Sequence, residues 1–176
     1  HRRAARALPL GAVHKVVSVL DEPLWDTEGK DLAFLHSPGS LFGANWIWML
    51  HEKPILVCWS GGSRAQQLNG LASEEVIRLA LADAATALGR DPAALREKIR
   101  GTYYHDWMLD PFSLGAYSYV RLGGAGSRGD LAKPVAGTLF FAGEATANDG
   151  SAGTVHGALR AGVRAADEIA GAGSQL

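Results

Sequence analysis

A carboxylate at the end of an apolar run is the first feature of this chain that could do chemistry. Glu144 follows the apolar residues 138–142 and Gly143. A polar, glycine-bearing loop then leads to Thr154, where a helical pattern begins. A helix N-terminus presents free backbone N–H groups and about half a positive charge, and the Glu144 carboxylate could accept hydrogen bonds from ribose or ribityl hydroxyls. Strand, glycine-rich loop and helix in this order are typical of a nucleotide site.

Simpler interpretations of the same residues stay open at this point. Glu144 could serve only as a helix cap or ion-pair partner, with the glycines making a turn. Residues 149–153 resemble the Gly-x-Ser-x-Gly sequence of the nucleophile elbow in serine hydrolases, but Asp149 occupies the position of the first glycine. His156 could be a general base or a packed residue near the helix start. The 6 histidines are scattered without metal-binding spacing, so no metal site is predicted.

The first part of the chain has the pattern of a mostly antiparallel meander. Short apolar runs bounded by turn residues predict strands at 14–20, 32–35, 45–50 and 55–59. Residues 51–54 are a plausible hairpin connection between the last two.

Helical spacing follows the meander. Ser73 is the expected N-cap of a helix that Gly89 ends, and Asp91 and Pro92 open a shorter helix running towards Arg100. The face of the longer helix predicted to be buried consists of Val76, Ile77, Ala80, Leu81, Ala84 and Leu88.

The second part of the chain predicts a strand, a loop, a buried strand and a helix. Residues 103–107 predict an aromatic strand, and residues 123–129 predict a glycine-rich loop because they show no hydrophobic period. The run Thr138–Ala142 is continuously apolar, which predicts a strand buried on both faces. The helix opened by Thr154 is expected to bury Val155, Ala158, Leu159, Gly162, Val163, Ala166 and Ile169.

Composition narrows the classes of protein this chain could be. It has 176 residues with 17 Lys+Arg against 18 Asp+Glu, a net charge of -1 that lacks the basic footprint of a nucleic-acid binder. A single cysteine, Cys58, excludes an internal disulfide framework. No apolar stretch is long enough to span a bilayer, so no membrane partner is expected and a cytoplasmic location is predicted. The first residue is His1 rather than methionine, which suggests a fragment or a processed chain.

Two C-terminal motifs resemble one known family. Residues 140–146 (FFAGEAT) and 154–159 (TVHGAL), followed by 161–166 (AGVRAA), are similar to the C-terminal flavin motif of flavin-containing amine oxidases. Residues 107–112 (WMLDPF) and 115–120 (GAYSYV) resemble the family's stretch beside the flavin ring. The sequences of these motifs are most similar to those of polyamine oxidases and lysine-specific histone demethylases.

Supporting similarities lie earlier in the chain. Residues 15–17 through Pro23-Leu24-Trp25 resemble the strand that starts the later part of the family's substrate domain. The resemblance implies a mixed α/β (α+β) fold in two parts. Residues 1–121 would be the later part of the substrate domain, a mostly antiparallel sheet with helices. Residues 122–176 would be the C-terminal strand–helix unit of an FAD-binding Rossmann-like domain.

The resemblance also assigns roles to residues. Gly143 and Glu144 would bind the cofactor, with Glu144 on the ribityl chain. The backbone of Thr154 and Val155 would meet the pyrimidine edge of the flavin, where a helix N-terminus stabilises the anion of the reduced ring. The aromatic walls of the flavin pocket would include Trp107 and Phe112. The substrate pocket would be lined by Trp107, Phe112, Ala116, Tyr117 and Gly153.

The implied reaction is oxidation of an amine. Hydride would pass from the carbon bearing nitrogen to FAD, the imine would be hydrolysed, and O2 would reoxidise the flavin to give H2O2. The family's phosphate-binding glycine motif and catalytic lysine are not found in this sequence, so no catalytic residue is assigned, and Lys15 is interpreted as structural. Where some monoamine oxidases carry a flavin-linked cysteine this chain has Ala116, which predicts non-covalent FAD.

Other outcomes stay open beside this one. The loop before Thr154 lacks the tyrosine that relatives often place there and is one residue longer, so the resemblance does not identify the amine. The chain could also be a catalytically incompetent fragment or a structural subunit, completed by the missing N-terminal half or by a second chain. A serine hydrolase remains the remote alternative.

Overall fold

The computed structural model describes residues 1–23 and 33–173, which form two compact units. The sheet unit is Ala12–Gly115, and the helix unit combines His1–Gly11 with Ala116–Leu176. The expected division after Arg121 therefore differs from the observed units. The reason is a backbone pairing: Gly11 N–H donates to Tyr117 O (2.8 Å) and Ala116 N–H to Gly11 O (3.0 Å), which joins the first residues to the segment that follows Gly115.

The sheet unit contains five described strands. They are β1 (Val13–Leu20), β2 (Phe34–His36), β3 (Ala44–Leu50), β4 (Lys53–Gly61) and β5 (Ile99–Tyr104). Their order is β2-β3-β4-β1-β5, and every pairing is antiparallel. The mixed α/β class with a mostly antiparallel sheet is thus confirmed. The expected strand at 32–35 is confirmed from residue 34 onwards, while Leu32, like Leu24 and Trp25, lies outside the described residues.

The predicted hairpin between β3 and β4 is tighter than expected. Leu50 pairs with Lys53, so only His51 and Glu52 form the turn. Both have positive φ, 46° and 65°, as a two-residue turn that matches the twist of the strands requires. Neither residue is glycine, so the strands on either side must hold this backbone in place.

The described part of the sheet unit has three helices: α2 (Ser63–Gln66), α3 (Ser73–Ala87) and α4 (Pro92–Glu97). The long helix α3 buries Val76, Ala80, Leu81, Ala84 and Ala85, so most of the predicted face is confirmed. They join Val16, Leu20, Phe42, Ile47, Leu56, Cys58, Leu68 and Leu95 in one buried cluster.

The ends of these helices differ in how they are capped. Ala72, not Ser73, is the N-cap of α3, and no side chain bonds to its first turn, so the predicted serine cap is wrong. The Asp91 carboxylate accepts the amides of Ala93 (2.9 Å) and Ala94 (3.1 Å), which confirms the start of α4. This helix stops at Glu97 because Ile99 already pairs with Leu20 in β5. For the same reason the aromatic strand lies at 99–104, earlier than the predicted 103–107.

The helix unit contains α1 (Arg2–Arg6), α5 (Ser127–Ala132), a 3₁₀ turn (Glu144–Thr146) and α6 (Val155–Gly173). The glycine-rich segment 123–129 is therefore not wholly a loop, since α5 begins within it. The run Thr138–Ala142 does not form the buried strand that was predicted. Among the described residues its only ladder pairing is the bridge of Leu139 with Val135, and Leu139 is 53% exposed. A strand buried on both faces must lie within a covered sheet, and among the described residues this run has only the bridge to Val135.

The buried face of α6 also differs from the prediction. The small residues Gly157, Ala161 and Ala165, spaced four apart, are buried. The expected apolar stripe is exposed: Val155 by 79%, Leu159 by 67%, Val163 by 64% and Ile169 by 53%. Only small side chains fit where α6 packs within its own unit, so the larger apolar residues are left on the opposite side.

Candidate functional site

Glu144 is the centre of a hydrogen-bond network in the helix unit. One carboxylate oxygen accepts the backbone N–H of Ser118 (2.7 Å). The other accepts the Ser118 hydroxyl (3.0 Å) and the backbone N–H of Gly153 (2.7 Å). Three donors from two distant segments thus meet one side chain. Glu144 holds the segment around Ser118 beside the loop that leads into α6.

Arg128, on α5, lies against the same network. Its Nη1 donates to Ser118 Oγ (2.6 Å) and to the Ala145 carbonyl (3.3 Å), while its Nη2 donates to the Ser118 carbonyl (3.1 Å). The same Nη1 lies 3.7 Å from Glu144 Oε2, and the arginine side chain is only 16% exposed. Sequence reasoning missed Arg128, because a lone arginine in a glycine-rich segment carries no periodic or motif signal.

Thr154 caps the N-terminus of α6. Its Oγ1 accepts the Gly157 N–H (3.0 Å) and donates to the Ser151 carbonyl (2.5 Å). Within the described part of the chain, the backbone N–H groups of Val155 and His156 have no hydrogen-bond acceptor. The positive end of the 19-residue helix therefore keeps free donors.

The loop before α6 is held by Asp149. Its Oδ1 accepts both the N–H (3.0 Å) and the hydroxyl of Ser151, and its Oδ2 accepts from Arg160 (3.0 Å). These contacts, the Ser151 hydroxyl first, hold the pKa of Asp149 well below its ordinary value. In the described residues Ser151 bonds to this carboxylate and to no histidine, so the structure does not assemble the nucleophile and base of a serine hydrolase.

Two glycines of the predicted site adopt backbone conformations with positive φ. Gly143 has φ 106° and Gly153 has φ 73°, conformations that strain other residues. The ring of Tyr117 lies beside Gly153, at 3.8 Å from the position that an added Cβ would take. Gly153 and Tyr117, both assigned to the substrate pocket, are therefore neighbours, and Ala116 directly precedes Tyr117 in the chain.

The remaining predicted site residues lie on a loop of the sheet unit. Asp106 accepts the Met108 amide (2.9 Å), and Asp110 accepts the Phe112 amide (2.9 Å). These two turns build residues 105–115, and the Trp107 carbonyl closes them by accepting the Gly115 amide (2.9 Å).

The loop presents its aromatic side chains outward. Phe112 is 98% exposed and Trp107 is 46% exposed, with Trp107 edge-on to His105 at 4.4 Å between ring centroids. His105 in turn bonds to Asp110 at 3.0 Å. The Phe112 amide, followed by His105, holds the pKa of Asp110 below its ordinary value. Neither aromatic is a core residue of its unit, which is the simpler role that an isolated aromatic usually has.

The two units thus divide the predicted site residues between them. Gly143, Glu144, Gly153, Thr154 and Val155 belong to the helix unit, together with Ala116 and Tyr117. Trp107 and Phe112 belong to the sheet unit. Within the described residues no cluster of side chains could hold a metal ion. None of the described helices combines the length and hydrophobicity that a membrane span requires.

Comparison with known proteins agrees with the motifs. Residues 1–170 match the family described as flavin containing amine oxidoreductase. The chain is 34% identical to histone demethylase-like protein A of Aspergillus fumigatus, covering 96% of this chain and 17% of that protein. It is 31% identical to polyamine oxidase 1 of Oryza sativa subsp. japonica, covering 96% of this chain and 38% of that protein.

Solved structures show the same relationship. Wild-type putrescine oxidase bound to putrescine superposes with a TM-score of 0.78 at 27% identity, covering 96% of this chain and 37% of that one. Cyclohexylamine oxidase from Brevibacterium oxydans IH-35A gives a TM-score of 0.75 at 25% identity, covering 94% of this chain and 36% of that one. The chain therefore spans less than two fifths of the length of these relatives.

Nearly the whole chain matches the family description, so this protein belongs to the flavin-containing amine oxidoreductases. The predicted family is confirmed. The description of that family names an oxidoreductase that contains flavin.

Proposed function

We propose that this chain is the C-terminal portion of an FAD-dependent amine oxidase. The observation that supports the proposal most is the Glu144 network, which holds Ser118 and Gly153 beside the free N-terminus of α6. A helix start with unused N–H donors suits the electron-rich edge of a flavin. Gly143 and Glu144 would complete the cofactor-binding residues, with Thr154 and Val155 at the helix start.

The chain's own residues would bind and orient rather than react. When bound, FAD would accept a hydride from the amine carbon and pass the electrons to O2, giving H2O2. The positive end of α6 would stabilise negative charge at the helix start. Trp107 and Phe112, already displayed outward, would form flat apolar walls that exclude water and favour the neutral amine. Ala116, Tyr117 and Gly153 would line the substrate pocket.

The proposal includes non-covalent FAD. Ala116 cannot form a thioether, and the described fold buries Cys58 fully, where desolvation raises its thiol pKa to about 12. A buried neutral thiol is a poor nucleophile. Acid or heat precipitation of flavin-loaded protein should leave all of the flavin in the supernatant. Flavin that stays with the pellet would contradict this part of the proposal.

The substrate would be an amine. The compared structures include oxidases named for putrescine and cyclohexylamine, so a small alkyl amine or diamine is the first class to test. We place the protein in the cytoplasm on its composition alone.

The exposed stripe of α6 supports a missing partner. Val155, Leu159, Val163 and Ile169 leave an apolar row uncovered on one helix, and exposed rows of this kind mark contact surfaces. Since the chain spans only 37% of putrescine oxidase, the proposed occupant is the N-terminal portion of the same family fold, on the same or a second polypeptide. Such a portion would also supply the phosphate-binding motif and the lysine that this sequence lacks.

The function is tested by flavin binding and turnover. In the protein that contains both portions, Glu144→Ala should raise the FAD dissociation constant at least about ten-fold, because it removes hydrogen bonds to a charged group. Phe112→Ala should chiefly alter amine kinetics while flavin stays bound. Glu97→Ala, an exposed carboxylate on α4, is the matched control and should change neither.

Three results would each contradict part of the proposal. A wild-type protein that stays colourless with added FAD is not a flavoenzyme, and the alternative of an incompetent fragment or structural subunit would replace it. Unchanged flavin affinity in Glu144→Ala would remove the assigned role of that residue. Amine turnover by the 176-residue chain alone would show that no missing portion is needed.

A further inference from the structure

We propose that Arg128 is a positioning residue for the flavin-facing end of α6, an inference that rests on the proposed function. Its guanidinium holds Ser118 and Glu144 in the arrangement that fixes the Gly153 amide. Neither the motif residues nor the aromatic walls include this arginine. Its guanidinium contacts Ser118, Ala145 and Glu144, so we infer that it acts through these residues.

The guanidinium of Arg128 joins two segments of the helix unit. Arg128 places two nitrogens on three acceptors, the Ser118 hydroxyl and carbonyl and the Ala145 carbonyl, at 2.6, 3.1 and 3.3 Å. A planar fork with fixed donor directions can bond these groups at once, whereas the point charge of a lysine cannot. Arg128 therefore fixes the position of Ser118 relative to the 3₁₀ turn that starts at Glu144.

Ser118 carries this restraint onward. Its hydroxyl accepts from Arg128 and donates to Glu144 (3.0 Å), so its single proton is directed at the carboxylate. A hydroxyl whose acceptor side is occupied by a cation has one orientation left for its proton. The order of the Glu144 carboxylate thus depends on Arg128.

Glu144 connects this restraint to the start of α6. Glu144 Oε2 accepts the Gly153 N–H (2.7 Å), and Gly153, at φ 73°, sets the direction in which the chain enters Thr154 and α6. The Glu144 and Arg128 side chains are 22% and 16% exposed and 3.7 Å apart, so solvent screens their attraction only in part. Loss of the cation would free Glu144 and with it the Gly153 amide.

Hydrogen exchange tests the positioning role without any cofactor. In Arg128→Met the amides of Ser118 and Gly153, both held by Glu144, should exchange about ten-fold faster than in wild type, because local opening becomes easier. Arg121→Met is the matched control, since Arg121 is exposed in the same unit, and it should leave both rates unchanged. Unchanged exchange in Arg128→Met would overturn the proposal. If that variant does not fold, Arg128→Gln is measured in its place and judged by the same criterion.

Flavin titration tests the link to the cofactor. In the flavin-binding protein, Arg128→Met and Glu144→Gln should each raise the FAD dissociation constant about ten-fold. The dissociation constant of the double variant should not exceed that of the more strongly affected single variant, because the two residues act together. Arg128→Lys should recover only part of the loss, because it restores charge without the fork. Additive losses of FAD affinity in the double variant, or wild-type affinity in Arg128→Lys, would overturn the positioning role.

These outcomes separate the inference from the function on which it rests. A wild-type protein that never binds FAD would remove the proposed function, while exchange at Gly153 would still decide whether Arg128 orders the helix start. Normal FAD binding in wild type and in Arg128→Met would keep the function and remove the inference.

Discussion

The sheet unit and the helix unit bury their apolar residues in different ways. In the sheet unit, α3 covers one face of the strands, and Val16, Leu56 and Val76 are fully buried within their own unit. In the helix unit, α6 buries a row of small residues and leaves its large apolar residues exposed. Polar contacts from Glu144, Arg128 and Asp149 order that unit instead.

The difference shows where periodicity is a sufficient guide. An apolar period predicts which face of a helix is buried only if the chain itself supplies the surface that covers it. For α3 the sheet supplies that surface. For α6 the described residues do not, although its pattern is equally regular.

The largest expected effect compares one leucine from each unit. Leu56→Ala empties space in the sheet core and should lower the free energy of unfolding by about 3 kcal/mol. Leu159→Ala on the exposed stripe should lower it by less than about 0.5 kcal/mol. Urea unfolding of both variants of this chain measures the contrast.

Equal losses in the two leucine variants would show that the stripe is covered within this chain. A large loss for Leu159→Ala only after the proposed N-terminal portion is added would strengthen the case for that partner.

The second effect separates two glycines of α6. A Cβ on Gly157 would clash with the Ser151 carbonyl oxygen, so Gly157→Ala should cost roughly 2 kcal/mol through displaced backbone. At Gly162 no described residue beyond the neighbouring turns of α6 lies within 4 Å of an added Cβ. Gly162→Ala should therefore stabilise the helix by up to about 1 kcal/mol. Thermal unfolding followed by circular dichroism gives both values, and equal signs would contradict the close approach at Gly157.

The smallest effect concerns helix caps in the sheet unit. Asp91→Ala removes the acceptor for two amides of α4 and should cost about 1 kcal/mol. Ser73→Ala should cost almost nothing, because that side chain does not cap α3. Chemical denaturation of the pair checks this, and a loss in Ser73→Ala comparable to that in Asp91→Ala would restore the predicted serine cap.

The fold of the sheet unit was largely predictable from the sequence. Its signals are local: the β-branched residues of β1, Asp91 and Pro92 at the start of α4, and the apolar period of α3. Local hydrogen bonds or the packing of a single face are enough to form these elements. The errors lie at boundaries such as Ser73, where the cap position depends on backbone geometry rather than residue type.

The candidate site was predictable only in part. Motif wording identified Glu144, Gly153 and Thr154, and the structure places them around one helix start. The motif sequences gave no sign that Arg128 and Ser118 are partners of Glu144. These two residues lie 16 and 26 positions before Glu144 and share no period with it.

By itself the sequence determined the family, the mixed fold class and the flavin motif, since residue types at fixed short spacings carry that information. The tertiary structure decided which side of α6 faces solvent, whether residues 138–142 pair as a strand and which donors Glu144 accepts. Each of these depends on surfaces brought together from distant parts of the chain. Such contacts leave no local pattern, because burial and hydrogen-bond partners are set by whatever surface is at hand once the chain has folded.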